Sequence, residues 1–106
     1  MTEKPENLIE HITRRIVEAF HPRRIVLFGS RARGDARPDS DYDFFVEMET
    51  DQKPSKRRLA ISKLFGIREW AMDIIVYTPE EVEGLKGVKS SFLSVIEQEG
   101  RVLYEQ

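Results

Sequence analysis

The tightest constraint in this chain is a junction between two apolar runs. Ile25-Val26-Leu27-Phe28 stops at Gly29-Ser30, and ten residues later Asp41-Tyr42-Asp43 opens a second run, Phe44-Phe45-Val46. Gly29 has access to backbone angles closed to other residues and lets a ligand approach the main chain. A strand that breaks into a short polar turn exposes backbone N–H groups, which suit a phosphate. On a strand, residues two apart point to the same face, so Asp41 and Asp43 would converge. Like charges held that close are costly unless a cation sits between them. Oxygen ligands at this spacing suit Mg²⁺, which takes one or two carboxylates together with substrate phosphates.

The remaining punctuation supplies the elements around the junction. Leu8, Ile9, Ile12, Ile16, Val17 and Phe20 recur at helical spacing, predicting a core-packing helix over 5–20 that Pro22 ends. Arg23 to Phe28 reads as the first strand and Arg31 to Gly34 as a short helical turn. Asp35 to Ser40 is a loop around Pro38, and Asp41 to Glu47 the second strand. Tyr42, Phe44 and Val46 share one face of it; Asp41, Asp43 and Phe45 share the other. Ser55 to Phe65 reads as a helix with Ser55 as N-cap, Gly66 as stop, and Ala60, Ile61, Leu64 and Phe65 as its apolar stripe. The basic run Lys53, Lys56, Arg57 and Arg58 is expected to be its solvated face.

Trp70 to Thr78 is the third strand, apolar in the middle except for Asp73. An aspartate there is expensive to bury without a partner. It is either an edge-strand residue facing water or, given the Asp-x-Asp upstream, a third carboxylate of one metal site; the second reading is preferred. Thr78 caps a following helix with Pro79 in its first turn. Ser90 or Ser91 caps a last helix to Glu99, with Val88, Phe92, Val95 and Ile96 along one side. Gly100 ends it, and Val102-Leu103-Tyr104 adds a short strand. His11 and His21, the two histidines, have no imidazole neighbour at metal-ligand spacing and are assigned surface or capping positions.

Composition narrows the functional classes. In 106 residues, 40% hydrophobic, the chain has enough apolar material for one domain spanning 1–106 with a single core. A formal net charge of −2 argues against a general nucleic-acid coating protein. With no cysteine, disulfides and thiolate zinc sites are excluded. Residues 1–6 are polar with no signal-peptide core, and no apolar run approaches a membrane span, so a cytoplasmic protein without membrane attachment is expected.

A Gly-Ser pair by itself is usually a turn, and an Asp-x-Asp by itself a solvated strand end. Together, at this spacing and between two strands, they resemble the nucleotidyltransferase superfamily that includes DNA polymerase beta. The fuller pattern Gly29-Ser30-Arg31-Ala32-Arg33-Gly34 … Ser40-Asp41-Tyr42-Asp43 is similar to its smallest branch, the minimal nucleotidyltransferases. The resemblance runs without a gap from Phe28 to Val46 and, with its flanking elements, covers nearly the whole chain. It implies an α+β fold: a small mixed sheet with helices packed against it, like a polymerase beta palm. Asp41, Asp43 and Asp73 would then be the catalytic residues and the ligands of two Mg²⁺ ions. Gly29 and Ser30 would hold the β- and γ-phosphates of ATP as nucleotide donor. Asp73 would also take the proton of the attacking hydroxyl. Arg31 and Arg33 would contact phosphate or product, the alternative being ion pairs to Asp35 or Asp39.

The acceptor is less legible. The chain holds little beyond a catalytic core, so another protein is expected to supply it. The resemblance implies a small helical toxin of the HEPN type as partner in a hetero-oligomer. The chain would be its antitoxin, transferring AMP to a hydroxyl, tyrosine by resemblance. Two other readings stay open: an antitoxin that masks its partner without catalysis, and a nucleotidyltransferase acting on RNA or a small molecule.

Overall fold

The computed structural model describes residues 5–106; Met1–Lys4, part of the polar N-terminal run, lie outside the described residues. Helix α1 (Pro5–Phe20) leads into β1 (Arg24–Phe28) and the one-turn α2 (Ser30–Arg33). Strand β2 (Tyr42–Glu47), α3 (Pro54–Ser62), β3 (Met72–Tyr77), α4 (Pro79–Leu85), α5 (Phe92–Glu99) and β4 (Arg101–Glu105) follow. The strands form one mixed sheet in the order β3-β2-β1-β4. β1 pairs antiparallel with both β2 and β4, whereas β2 and β3 are parallel and joined through α3. A parallel pair needs such a crossover, because a hairpin cannot return the chain to the same end.

Two apolar layers result from the period-2 alternation of the strands. On one face Ile25, Leu27, Tyr42, Phe44, Val46, Ile74 and Val76 pack under Leu8, Ile9, Ile12 and Ile16 of α1 and Ile61 of α3. On the other, Val26, Phe28 and Phe45 pack under Val82 of α4 and Leu93 and Ile96 of α5. Buried on both sides, β1 and β2 read as continuous apolar runs. The expected division of β2, with Tyr42, Phe44 and Val46 opposite Asp43 and Phe45, is the division between these layers; Asp41, expected on the second face, precedes the strand, which begins at Tyr42.

Local punctuation held at most element ends. Thr78 and Glu81 form a reciprocal capping box: Thr78 Oγ1 accepts from Glu81 N at 3.2 Å and Glu81 Oε1 accepts from Thr78 N at 2.9 Å. Ser91 Oγ accepts from Ser94 N at 3.2 Å and so is the cap of α5. His21 ends α1 in a left-handed conformation, φ 49°, while His11 lies edge-on to Phe65.

Three expectations are corrected. Helix α3 begins at Pro54, not with Ser55 as cap; Lys53 is the capping position and makes no side-chain bond there. Pro54 has no N–H to be satisfied in the first turn, so the helix starts without one. Val88, which precedes α5, and Val95 face out, each 43% exposed; α5 buries Ile96 as expected, together with Leu93. Arg57 belongs to no solvated face. It is 7% exposed, and its guanidinium donates to Glu81 Oε1 at 2.7 Å, Gln52 O at 3.0 Å and Val76 O at 3.3 Å. The arginine thus joins α3 to the capping box of α4 and occupies a carbonyl of the edge strand.

Candidate active site

Phe28, at the end of β1, stands opposite Asp43 on β2, and Asp43 stands directly beside Asp73 on β3. Partners in register share a face, so both carboxylates rise from the side of the sheet that carries α4 and α5. Those helices cover Phe45 and Phe28 and stop short of this end, leaving Asp41 and Asp73 exposed and Asp43 half-buried. Asp73 lies on an edge strand facing water, and it neighbours Asp43.

Gly29 closes the site from the β1 side. Its φ of 74° and ψ of −158° belong to a region that side chains rarely enter. A Cβ added there would run into Asp43 Oδ2 and lie 3.1 Å from its Cγ. Glycine is thus required twice, by the turn and by the carboxylate packed against it. The Gly29 carbonyl accepts from Ala32 N at 3.1 Å and Arg33 N at 3.0 Å, which folds the polar segment into α2.

The electrostatics record this crowding. Asp43 is raised from an ordinary 3.8 to about 6, first by burial, then by the negative charges of Asp73 and Asp41, with Arg33 pulling the other way. Two further carboxylates are thus close enough to be felt at a half-buried one, a situation that a bound cation relieves. Among the described residues no three acidic or imidazole side chains are drawn together closely enough to hold a metal ion by themselves. The donors form an open patch with one anchored member, Asp43. Hard oxygen donors on an open patch fit Mg²⁺, which keeps several waters and completes its shell with substrate phosphates.

The two arginines of the turn part company. Arg33 Nε lies 3.4 Å from Asp35 Oδ2 and its Nη1 3.4 Å from Glu99 Oε1, within electrostatic range of Asp43. Among the described residues Arg31 pairs with no carboxylate, and it is not among the charges felt at Asp43. Its guanidinium is engaged by the carbonyls of Arg37, Pro38 and Ser40 and lies 3.9 Å from the Tyr42 ring centroid. Of the two expectations for Arg31, the ion pair to Asp35 or Asp39 is not formed; main-chain carbonyls take its guanidinium instead. No spacing rule in the sequence signals a guanidinium satisfied by three main-chain oxygens.

A cleft of about 740 Å³ lies at the opposite end of the sheet, lined among others by Arg24, Glu47, Lys86 and Glu97. Its charges are largely spent on one another, Arg24 pairing with Glu47 and Glu97 and Lys86 with Glu83. The chemistry gathers at the Asp43 end instead.

A mixed sheet with a glycine turn at the end of its central strand and carboxylates on the next two strands defines a nucleotidyltransferase-type domain. The model of the nucleotidyltransferase domain family matches residues 9–103, and the chain belongs to that family. No curated protein sequence matches it. Among solved structures it is similar to a candidate nucleotidyltransferase from Sulfolobus solfataricus. That match has a TM-score of 0.65 and 22% identity, covering 94% of this chain and 79% of the other. It is also similar to a toxin-antitoxin crystallised with AMP-PNP, with a TM-score of 0.64 and 19% identity over 92% of this chain and 73% of the other. At such identities the likeness is one of fold, and the expected α+β architecture is the one observed.

Proposed function

We propose that this nucleotidyltransferase transfers AMP from ATP to a hydroxyl of a protein partner, a HEPN-type toxin, and thereby acts as its antitoxin. The observation that carries the catalytic half is the anchored carboxylate: Asp43 packed on Gly29, beside Asp73, with its pKa raised to about 6 by burial and by its acidic neighbours. The partner half is supported by the likeness to a toxin-antitoxin solved with AMP-PNP.

In this reading Gly29 and Ser30 receive the β- and γ-phosphates on the exposed start of α2, and Arg33 adds positive charge beside them. Asp41, Asp43 and Asp73 would hold Mg²⁺, which when bound would supply charge neutralisation for the triphosphate and a lowered pKa for the attacking hydroxyl. Asp73, exposed and unencumbered, accepts the proton of the acceptor hydroxyl as its oxygen bonds to the α-phosphorus and pyrophosphate departs. No described helix is long and apolar enough to cross a membrane.

Asp73→Asn tests the proton-acceptor role. It should lower the transfer rate far more than the affinity for ATP. A rate within a few-fold of wild type would reduce Asp73 to an ordinary edge-strand residue. The reading as a whole is tested by co-expression with the protein encoded beside it. The intact mass of the partner should rise by one or more AMP units with wild type, and by none with Asp41→Asn/Asp43→Asn. A partner left unmodified yet neutralised equally by both proteins means masking without catalysis. Label from ATP appearing on RNA or a small alcohol instead overturns the protein-acceptor assignment.

A further inference from the structure

We propose that Arg31 is a positioning residue that locks the phosphate-binding turn and the metal-binding aspartates into one rigid unit. The inference rests on the roles proposed above for Gly29, Ser30, Asp41 and Asp43.

Arg31 sits in α2, immediately after the Gly29-Ser30 turn. The segment from Asp35 to Ser40 is loop, and it delivers Asp41 to the site. Its last four residues form a turn closed by Ser40 N donating to Arg37 O at 3.0 Å and Arg37 N donating to Ser40 Oγ at 2.8 Å. That turn leaves several carbonyls pointing one way, and Arg31 reads them together. Nη2 donates to Arg37 O and Pro38 O at 3.3 Å each and to Ser40 O at 2.9 Å, while Nε donates to Ser40 O at 3.3 Å. The same guanidinium lies over the ring of Tyr42, the residue between Asp41 and Asp43. Tyr42 is 6% exposed and belongs to the layer under α1 and α3, the face opposite Asp43. Arg31 therefore supports the aspartate segment from behind.

Each contact alone is modest. Nη2, with two hydrogens for three carbonyls, shares at least one of them, and Nη2 and Nε together fork onto Ser40 O; a lysine ammonium offers charge without that fork. Asp41 is exposed and lies between two held residues: Ser40, whose carbonyl Arg31 binds, and Tyr42, whose ring lies under Arg31 and whose N–H donates to Ala71 O at 2.9 Å. Displacement of about 1 Å in such a constellation costs on the order of 10²-fold in rate.

The experiment compares wild type with Arg31→Lys and Arg31→Ala in two measurements. One is Mn²⁺ binding in the presence of AMP-PNP, followed by electron paramagnetic resonance. The other is steady-state AMP transfer well below the melting temperature. Both variants should weaken Mn²⁺ binding about 10-fold and lower kcat about 30- to 100-fold, with KM for ATP within about 3-fold. Methylguanidinium should restore part of the Arg31→Ala rate and none of the Arg31→Lys rate, whose side chain still fills the slot. If Arg31→Ala fails to fold, Arg31→Lys carries the comparison. A lower melting temperature with kcat and Mn²⁺ affinity within about 3-fold of wild type overturns the proposal in favour of simple packing. A raised KM with unchanged kcat overturns it in favour of direct phosphate contact. Wild type that binds no Mn²⁺–AMP-PNP would instead overturn the nucleotidyl-transfer reading, and the clamp with it.

Discussion

Asp43→Asn is expected to lower AMP transfer by at least about 10³-fold, a loss of roughly 4 kcal/mol of transition-state stabilisation. It is also expected to make the metal-free protein more stable at neutral pH. Both follow from one placement. Asp43 is the anchored carboxylate of the site, touching the position a Gly29 Cβ would take and standing beside Asp73. Its folded pKa of about 6 lies above the ordinary 3.8, so the folded state holds a proton more tightly than the unfolded chain. The stability this contributes is complete below about 3.8 and is lost as pH rises through about 6. Discounted for partial exposure, the change is on the order of 1–2 kcal/mol. Urea melts in a chelator at pH 4.5 and 7.5 should show the wild type falling relative to Asp43→Asn over that interval. With Mg²⁺ and AMP-PNP present, wild type alone should regain stability, because ligand binds the folded state. A variant with wild-type transfer, or with the same ligand-induced shift, would place the site elsewhere.

Arg57→Leu is expected to destabilise the fold by about 2–3 kcal/mol, lowering the melting temperature by roughly 10–20 °C. The substitution removes the donor to Glu81 and leaves the carbonyls of Gln52 and Val76 without it. Glu81 is held below its ordinary 4.5, chiefly by its hydrogen bond to Arg57 and then by Thr78 N–H. That contribution is present above about 4.5 and lost as pH falls through the lower folded value, opposite in sign to Asp43. Arg57→Leu should therefore lose more stability at pH 7 than at pH 3, read by thermal melts at both. Equal loss at the two pH values would mean that the arginine stabilises through packing of its stem alone.

These residues also divide what was legible in the chain from what was not. The order and type of every element followed from local patterning. The 3.6-residue recurrence in α1, the apolar runs of β1 and β2, and the Thr78-Pro79 and Ser91 helix starts each depend on residues a few positions apart. Helix ends were less faithful. α3 stops at Ser62, ahead of the predicted Phe65, because Gly66 limits a helix without setting how many turns precede it. In α5 Ile96 packs against the layer of Val26 and Phe45 as its spacing predicts, but Leu93 joins it there while Val95, at an equally apolar position, faces out.

Gly29, Ser30, Asp41 and Asp43 could be singled out from sequence because the chain's own continuity ties them: a strand, a turn of limited reach and a return strand. The sequence by itself therefore determined the junction, the element order and the candidate residues. Only the tertiary structure decided that β3 lies parallel to β2 in the register that sets Asp73 beside Asp43, since strand order and register are long-range pairings with no local signature. It alone decided that Arg57 is buried and that Arg31 faces three carbonyls and a tyrosine ring. An arginine's fate depends on which oxygens the rest of the fold brings within its reach, and its own neighbours in the chain do not specify them.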